Sequence, residues 1–172
     1  MTEKRFILIF CLLLVAQILL SNFLDITQYF TVALLPTMMF CRPLRSGTIL
    51  NLAIAFAAGF VTDFFGSGML GLSSAALLPA VILCNPVLHI FFNEETFSRM
   101  DNLSIGKLGL GRVLAACACI LAVYLAIYIL LDGAGTRTMQ FNLIRFGISF
   151  GGNLLLSIIV LDLLLSNSKS KK

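Results

Sequence analysis

Three ionisable residues lie inside otherwise apolar runs, and they are the first candidates for chemistry in this sequence. They are Asp63 in GFVTDFFGSGMLGLSS, Arg145 in FNLIRFGISF and Asp162 in IIVLDLLLSN. Charges inside membrane-spanning runs are rare and usually face protein or a water-filled cavity, so each is a candidate for proton transfer, ion binding or recognition. Asp63 and Asp162 are predicted at opposite membrane depths, and they therefore cannot share a proton as a catalytic pair.

Other catalytic patterns are weak in this sequence. His89 is its only histidine and has no cysteine or carboxylate at the spacing of a metal site or an activated nucleophile. Cys117 and Cys119 form a C-x-C pair, whose side chains point away from each other on a helix. The sequence also shows no P-loop and no G-x-S-x-G motif. We therefore expect no enzyme, no metal site and no cofactor.

The composition indicates an integral membrane protein. Of the 172 residues, 59% are hydrophobic and 12% are charged, against roughly 25% charged residues in soluble domains. The first apolar run, Phe6 to Leu20, continues to Leu24 without a small-x-small cleavage site, so we interpret it as a permanent span. The formal net charge of +4 is scattered at the ends of apolar runs, which argues against a nucleic-acid partner. The lipid bilayer is the expected partner.

Six apolar segments approach the roughly 20 residues that cross a bilayer, and they predict one all-α transmembrane domain over 1–172. Ten of the twelve basic residues fall at the N-terminus, at the C-terminus and in alternate connections. Because basic loops stay in the cytoplasm, this bias predicts a six-helix bundle with both termini cytoplasmic. Pro79 and Asn85-Pro86 could end or kink the fourth span early. The predicted spans are 6–24, 26–41, 48–65, 69–92, 113–131 and 141–165.

Asp63 and Arg145 are both predicted near the outer ends of their spans, the third and the sixth. At similar depth they could pair across the bundle. Alternatively, each could reach the headgroup region alone, which is easier for the long arginine side chain than for the short aspartate.

Neutral polar and small residues predict close helix packing. Gln17, Asn51 and Asn153 are expected to hydrogen-bond between helices. Gly59 lies one turn before Asp63, so the carboxylate shares a face that a neighbouring helix can approach closely. Small residues in the sixth span predict a second such face, with a small-xxx-small step between the first two: Gly147, Gly151 and Gly152.

The run RPLRSGTILNLAIAFAAGFVTDFFGSGMLGLSSAALLPA resembles the MreD family of bacterial rod-shape (elongasome) membrane proteins. Basic residues precede the third span, and a glycine, an aspartate, a Gly/Ser turn and a further glycine follow. Gln17, Pro36 and Asn153 also lie where that family places such residues. The chain departs from the family's pattern in its lack of tryptophan and in its long connection 93–112. The residues that carry the resemblance at the third span are Gly59, Asp63, Gly66, Gly68 and Gly71.

The resemblance implies a non-enzymatic assembly protein in the bacterial cytoplasmic (inner) membrane. Its implied partner is MreC, a single-span periplasmic scaffold. With MreC it would link MreB filaments to the glycosyltransferase and transpeptidase pair that builds side-wall peptidoglycan. The implied fold is similar to the six-helix substrate-binding subunits of energy-coupling-factor vitamin transporters. Such a subunit is the alternative function, for which Tyr124 and Tyr128 would line an outer pocket. The residues expected in packing and partner recognition are Gln17, Gly59, Asp63, Gly66, Gly68, Gly71, Arg145 and Asn153.

Overall fold

All regular structure in the described part of the chain is helical, and the predicted all-α class is confirmed. The computed structural model describes residues 3–24, 29–42, 47–67, 69–92, 109–134 and 136–165. The last turn of the third helix widens into a π-helical turn at Asp63–Ser67. The helices are α1 (Glu3–Leu24), α2 (Leu35–Phe40), α3 (Thr48–Thr62), α4 (Leu72–Phe91), α5 (Leu110–Asp132) and α6 (Met139–Leu165).

Four of these helices are long and apolar enough to cross a membrane: α3 with its π-helical turn, α4, α5 and α6. The apolar part of α1, Ile7–Phe23, is shorter. Large hydrophobic side chains are exposed along α1, α3, α4 and α6, and on α5 only near its two ends, as expected for a surface that faces lipid. Length, apolarity and surface together make this a membrane protein.

Helix starts follow local chemistry. Pro36 stands in the first turn of α2, where no intrahelical N–H bond is lost. Gly71, directly before α4, has φ of 92°, a left-handed conformation that glycine adopts without strain. Pro79 and Pro86 lie inside α4, which nevertheless continues to Phe91. Membrane helices tolerate such prolines because neighbouring groups bind the freed backbone carbonyls.

The span predicted over 26–41 is helical in only part of its described residues. Residues 29–34 lie outside any helix, and the helical part is the six-residue α2. Residues 32–42 are all buried, and α2 contacts each of the other five helices. A six-residue helix is too short to be stable alone, so its position depends on the surrounding bundle.

The connection 93–112 lies mostly outside the described residues. Its last four, Gly109 to Arg112, lead into or begin α5. Before this connection, residues 86–91 are the end of α4.

Candidate functional site

A buried polar stripe runs along α6. Its members are three or four residues apart, which places them on one side of a helix. All five are at least nine-tenths buried: Asn142, Arg145, Ser149, Asn153 and Ser157. Buried polar groups need hydrogen-bond partners, and the stripe finds several of them in the non-helical residues before α2.

Gln17 and Asn153 hold the segment Thr31–Leu34 from two sides. The Gln17 amide donates to the Val32 carbonyl at 2.9 Å and accepts the Leu34 N–H at 2.8 Å. The Asn153 amide donates to the Thr31 carbonyl at 2.6 Å and accepts the Ala33 N–H at 2.7 Å. Non-helical backbone at membrane depth is tolerated where protein satisfies its polar groups, and these two side chains do so.

Arg145 extends this network toward the α5–α6 turn. Its Nε donates to the Thr31 hydroxyl at 3.1 Å, and its Nη1 forms an ion pair with Asp132. Arg137 lies 3.9 Å from the same Asp132 oxygen. Ser149 accepts the Thr31 N–H at 3.0 Å. Thr31 is therefore bound through its backbone and its side chain, and the arginine joins the segment to the end of α5.

A smaller polar contact fixes α2 itself. The hydroxyls of Thr37 and Ser157 are 2.7 Å apart, and the Cys117 thiol donates to Thr37 at 3.7 Å. Cys117 is buried and Cys119 is exposed, so the C-x-C pair faces two directions. The inward cysteine acts here as a small polar packing residue.

The third and fourth spans meet at a close backbone contact. A Cβ added to Gly59 would lie 2.7 Å from both Cα and N of Ser74, a distance that no side chain can occupy. The Ser74 hydroxyl donates to the Phe56 carbonyl at 3.1 Å, and the Thr62 hydroxyl donates to the Gly59 carbonyl at 2.8 Å. Gly59 therefore allows α3 and α4 to pack backbone against backbone.

Asp63 binds the start of α4. Its side chain is fully buried, and both carboxylate oxygens accept the Ser73 N–H, at 2.9 and 3.1 Å. A carboxylate at a helix N-terminus satisfies an unpaired donor and complements the positive end of the helix dipole. This contact explains why an acidic residue, Asp63, lies inside an apolar run. The proposed pairing of Asp63 with Arg145 stays a prediction, while the ion pair found at Arg145 is with Asp132.

The remaining glycines divide by environment. Gly66 packs near Ser21 of α1, and Gly68 lies outside the described residues. Gly152 faces inward, where an added Cβ would lie 2.3 Å from the Phe30 ring. Gly147 and Gly151 face outward, and an added Cβ there would meet nothing within 4 Å.

A cavity of about 40 Å³ lies among these groups, which is room for a few water molecules. Tyr124 and Tyr128 stack beside it, with ring centroids 5.8 Å apart. Its walls mix aromatic and polar side chains, and Arg145 is the charged residue among them. They include Gln17, Ser21, Thr31, Thr62, Ser73, Tyr124, Tyr128 and Arg145.

Other candidates lie apart from this network. His89 and Asp162 are exposed near the ends of α4 and α6 that the topology predicts to be cytoplasmic. Across the described ranges, no three His, Cys, Asp or Glu side chains are placed to hold a metal ion. Arg42, just after α2, is nine-tenths buried, and this burial lowers the pKa of its guanidinium.

The non-helical segment Thr31–Leu34, which Gln17 and Asn153 bind, was not predicted from the sequence, although the sequence contains a signal for it. Arg145, Ser149, Asn153 and Ser157 are four residues apart within one apolar span. A polar stripe of that length has more hydrogen-bonding capacity than apolar neighbouring helices can use. The stripe therefore indicates that it packs against backbone whose N–H and C=O groups are not paired within a helix.

The fold and the site define a helical membrane protein whose polar core holds an unwound segment before a short central helix. Comparisons of the chain with protein-family models, with curated proteins and with solved structures find no match.

Proposed function

We propose that the chain is a non-enzymatic subunit of the bacterial cell-shape (elongasome) complex in the cytoplasmic membrane. It binds an MreC-like single-span protein, and through it links MreB filaments to the glycosyltransferase and transpeptidase of side-wall synthesis. The proposal begins with the resemblance of the third-span motif, Gly59 to Gly71, to the MreD family.

The observation that carries a partner-binding role is the outward face of α6. Gly147 and Gly151 lie one turn apart, are exposed and have open space where a side chain would be. A second helix can approach such a face more closely than a face of larger side chains, and close backbone approach drives helix association in lipid. A single-span partner such as an MreC-like protein has one helix to offer.

The hydrogen bonds that the buried polar side chains make within the chain also favour a scaffold over a transporter or an enzyme. Gln17, Asp63 and Asn153 hydrogen-bond backbone groups of this same chain. Side chains used in this way fix the shape of the bundle, and a rigid bundle presents a constant surface to a partner.

The proposal keeps six crossings with both termini in the cytoplasm, the second crossing being partly unwound. Six non-helical residues, 29–34, can extend to about 20 Å, and the six residues of α2 add about 9 Å. Their combined reach is close to the roughly 30 Å of hydrocarbon that a span must cross.

A second candidate is the substrate-binding subunit of an energy-coupling-factor vitamin transporter, with a similar six-helix fold. The cavity beside Tyr124 and Tyr128 favours it by its aromatic and polar walls. Its volume of about 40 Å³ counts against it, because pockets for ligands of vitamin size hold roughly 300 Å³ or more.

Depletion in the native cell tests the proposal. Loss of the protein should round the cells and disperse new wall insertion, whereas normal shape with a vitamin requirement would support the transporter. Complementation with Gly147→Leu plus Gly151→Leu should fail to restore rod shape and should abolish co-purification of the single-span partner. Ala57→Leu places a leucine at an exposed small residue of α3 and should complement. Full complementation by the double variant would contradict the role of the α6 face.

A further inference from the structure

The polar cavity beside Tyr124 and Tyr128 lies where several parts of the chain meet. Arg145 lines it from α6, Ser21 from α1, and Thr31 from the non-helical residues before α2. Its volume of about 40 Å³ corresponds to roughly three water molecules. Among the described residues that line it, Arg145 is the only charged one. The cavity is therefore small and polar, with a positive charge on one wall.

Arg145 keeps hydrogen-bond donors for a further group. The residue is nine-tenths buried, its Nε donates to Thr31, and its Nη1 pairs with Asp132. Within the described part of the chain, no residue accepts a hydrogen bond from its Nη2. A guanidinium carries five N–H donors, and leaving a buried donor without an acceptor is costly. An acceptor inside the cavity would satisfy the Nη2 donors.

Two hydroxyl groups on the cavity wall also have a proton to donate. The Thr31 hydroxyl accepts the Arg145 Nε–H at 3.1 Å, and the Ser21 hydroxyl accepts from the Gln17 amide at 3.3 Å. A hydroxyl that accepts from nitrogen still carries its own O–H, and no described residue accepts either of these two protons. The guanidinium and the two hydroxyls therefore bring unused donors to one small cavity.

The charges around the cavity favour an anion over a water molecule or a cation. Asp132 is shared between Arg145 and Arg137, which lies 3.9 Å from the same oxygen, so one carboxylate faces two cations. The other nearby acid, Asp63, accepts the Ser73 N–H, so its charge faces the positive end of the α4 dipole. The guanidinium on the wall repels a cation, whereas an anion there would balance the second arginine of the cluster.

We propose that this cavity binds one small monovalent anion, such as a halide, formate or nitrate ion. The anion accepts a charge-assisted hydrogen bond from the Arg145 Nη2, and the Thr31 and Ser21 hydroxyls donate to it as well. The bound ion connects α6, α1 and the buried non-helical segment, and it thereby stabilises the folded state. Ions of more than about four heavy atoms exceed the volume of roughly three water molecules. The proposal does not depend on the cellular role of the protein.

Unfolding in a series of sodium salts tests the site. The full chain is purified in detergent in sodium gluconate, whose anion is too large for the cavity, and gluconate is replaced stepwise by bromide or formate at constant ionic strength. An anion that binds only the folded state raises the folding equilibrium constant by the factor 1 + [anion]/Kd, which is about tenfold at nine times Kd. In crystals grown with bromide, an anomalous scattering peak should lie between Arg145 and Ser21.

Two variants and one control separate the site from general salt effects. Ser21→Ala removes one donor and leaves the arginine in place, so it should raise Kd by about tenfold or more, the factor for a hydrogen bond to a charged group. Arg145→Gln should abolish the difference between bromide and gluconate. Thr48→Ala removes an exposed hydroxyl at the start of α3 and should keep the wild-type Kd.

The outcomes decide between an anion and water. If the folding equilibrium is the same in bromide, formate and gluconate, the cavity holds water only and the proposal is overturned. It is also overturned if Ser21→Ala responds to bromide as the wild type does, because the effect then arises elsewhere. Should Arg145→Gln fail to fold, Ser21→Ala and the position of the bromide peak still give the answer.

Discussion

Gln17 of α1 and Asn153 of α6 hydrogen-bond alternate residues of one buried segment. Gln17 binds Val32 and Leu34, while Asn153 binds Thr31 and Ala33. Each amide supplies one donor and one acceptor, as a neighbouring strand would in a sheet. The chain can therefore leave the helical conformation inside the membrane without leaving these four backbone groups unpaired.

Gln17→Leu and Asn153→Leu should each destabilise the protein. Each substitution leaves one N–H and one carbonyl of the segment buried without a partner, at a cost of about 1–3 kcal/mol per group. Because both amides hold the same segment, the double variant should lose less than the sum of the two single losses. Reversible unfolding of the purified protein in mixed detergent micelles measures all three free energies.

Asn85→Leu is the matched control, because Asn85 is exposed on α4. It should change the free energy of unfolding by less than about 0.5 kcal/mol, as is usual for surface substitutions. If the losses of unfolding free energy from Gln17→Leu and Asn153→Leu were strictly additive, the two side chains would not act on the same segment.

Gly59→Ala and Gly147→Ala should act in opposite directions. The added methyl group at Gly59 would meet the Ser74 backbone at 2.7 Å, so α3 and α4 must separate, at a cost of about 1–3 kcal/mol. At Gly147 the space is open, and alanine favours the helix over glycine by about 0.5–1 kcal/mol. Unfolding of the two variants under identical conditions measures the difference, and equal losses would contradict the close contact at Gly59.

Removal of the Asp63 side chain should loosen the turn between α3 and α4. Asp63→Ala leaves the Ser73 N–H without its acceptor and should cost about 0.5–2 kcal/mol, as for other helix caps. Asp63→Asn keeps an acceptor but loses the charge at the helix N-terminus, so it should cost less, about 0.3–1 kcal/mol. Protease susceptibility of the turn and unfolding in detergent both measure the effect. Asp162→Asn, at an exposed acid of α6, is the control.

Much of the helical architecture could be predicted because apolar length is local information. The runs that became α3, α4, α5 and α6 are recognisable from hydropathy alone, and their ends differ from the predicted spans by a few residues. The second run has a proportion of apolar residues similar to that of the third, yet residues 29–34 are not helical. Its conformation is decided by Gln17 and Asn153, more than ten and one hundred residues away, and hydropathy does not register such contacts.

The sequence indicates which residues form the polar site better than it indicates which of them contact each other. Gln17, Gly59, Asp63, Arg145 and Asn153 were singled out because polar or small residues inside apolar runs are unusual. Depth alone suggested Arg145 as a partner for Asp63. The side-chain orientation that brings Arg145 to Asp132 depends on the turn between α5 and α6, where both residues meet across thirteen positions. The sequence gives the depth of a residue in the membrane, but two side chains pair only if the faces of their helices also point toward each other.

Charge reversal distinguishes the two possible partners of Arg145. Arg145→Asp should destabilise the protein, because it places a second carboxylate beside Asp132 and removes the donor to Thr31. The loss should be about 1.5–3 kcal/mol, the range for hydrogen bonds to charged groups. Adding Asp132→Arg should recover part of it by restoring opposite charges, although the Thr31 contact stays lost. Adding Asp63→Arg instead should bring no recovery, because that arginine cannot accept the Ser73 N–H. The free energies of unfolding of the single and double variants decide between Asp132 and Asp63 as the partner of Arg145. If Asp63→Arg restored stability to Arg145→Asp and Asp132→Arg did not, the partner would be Asp63.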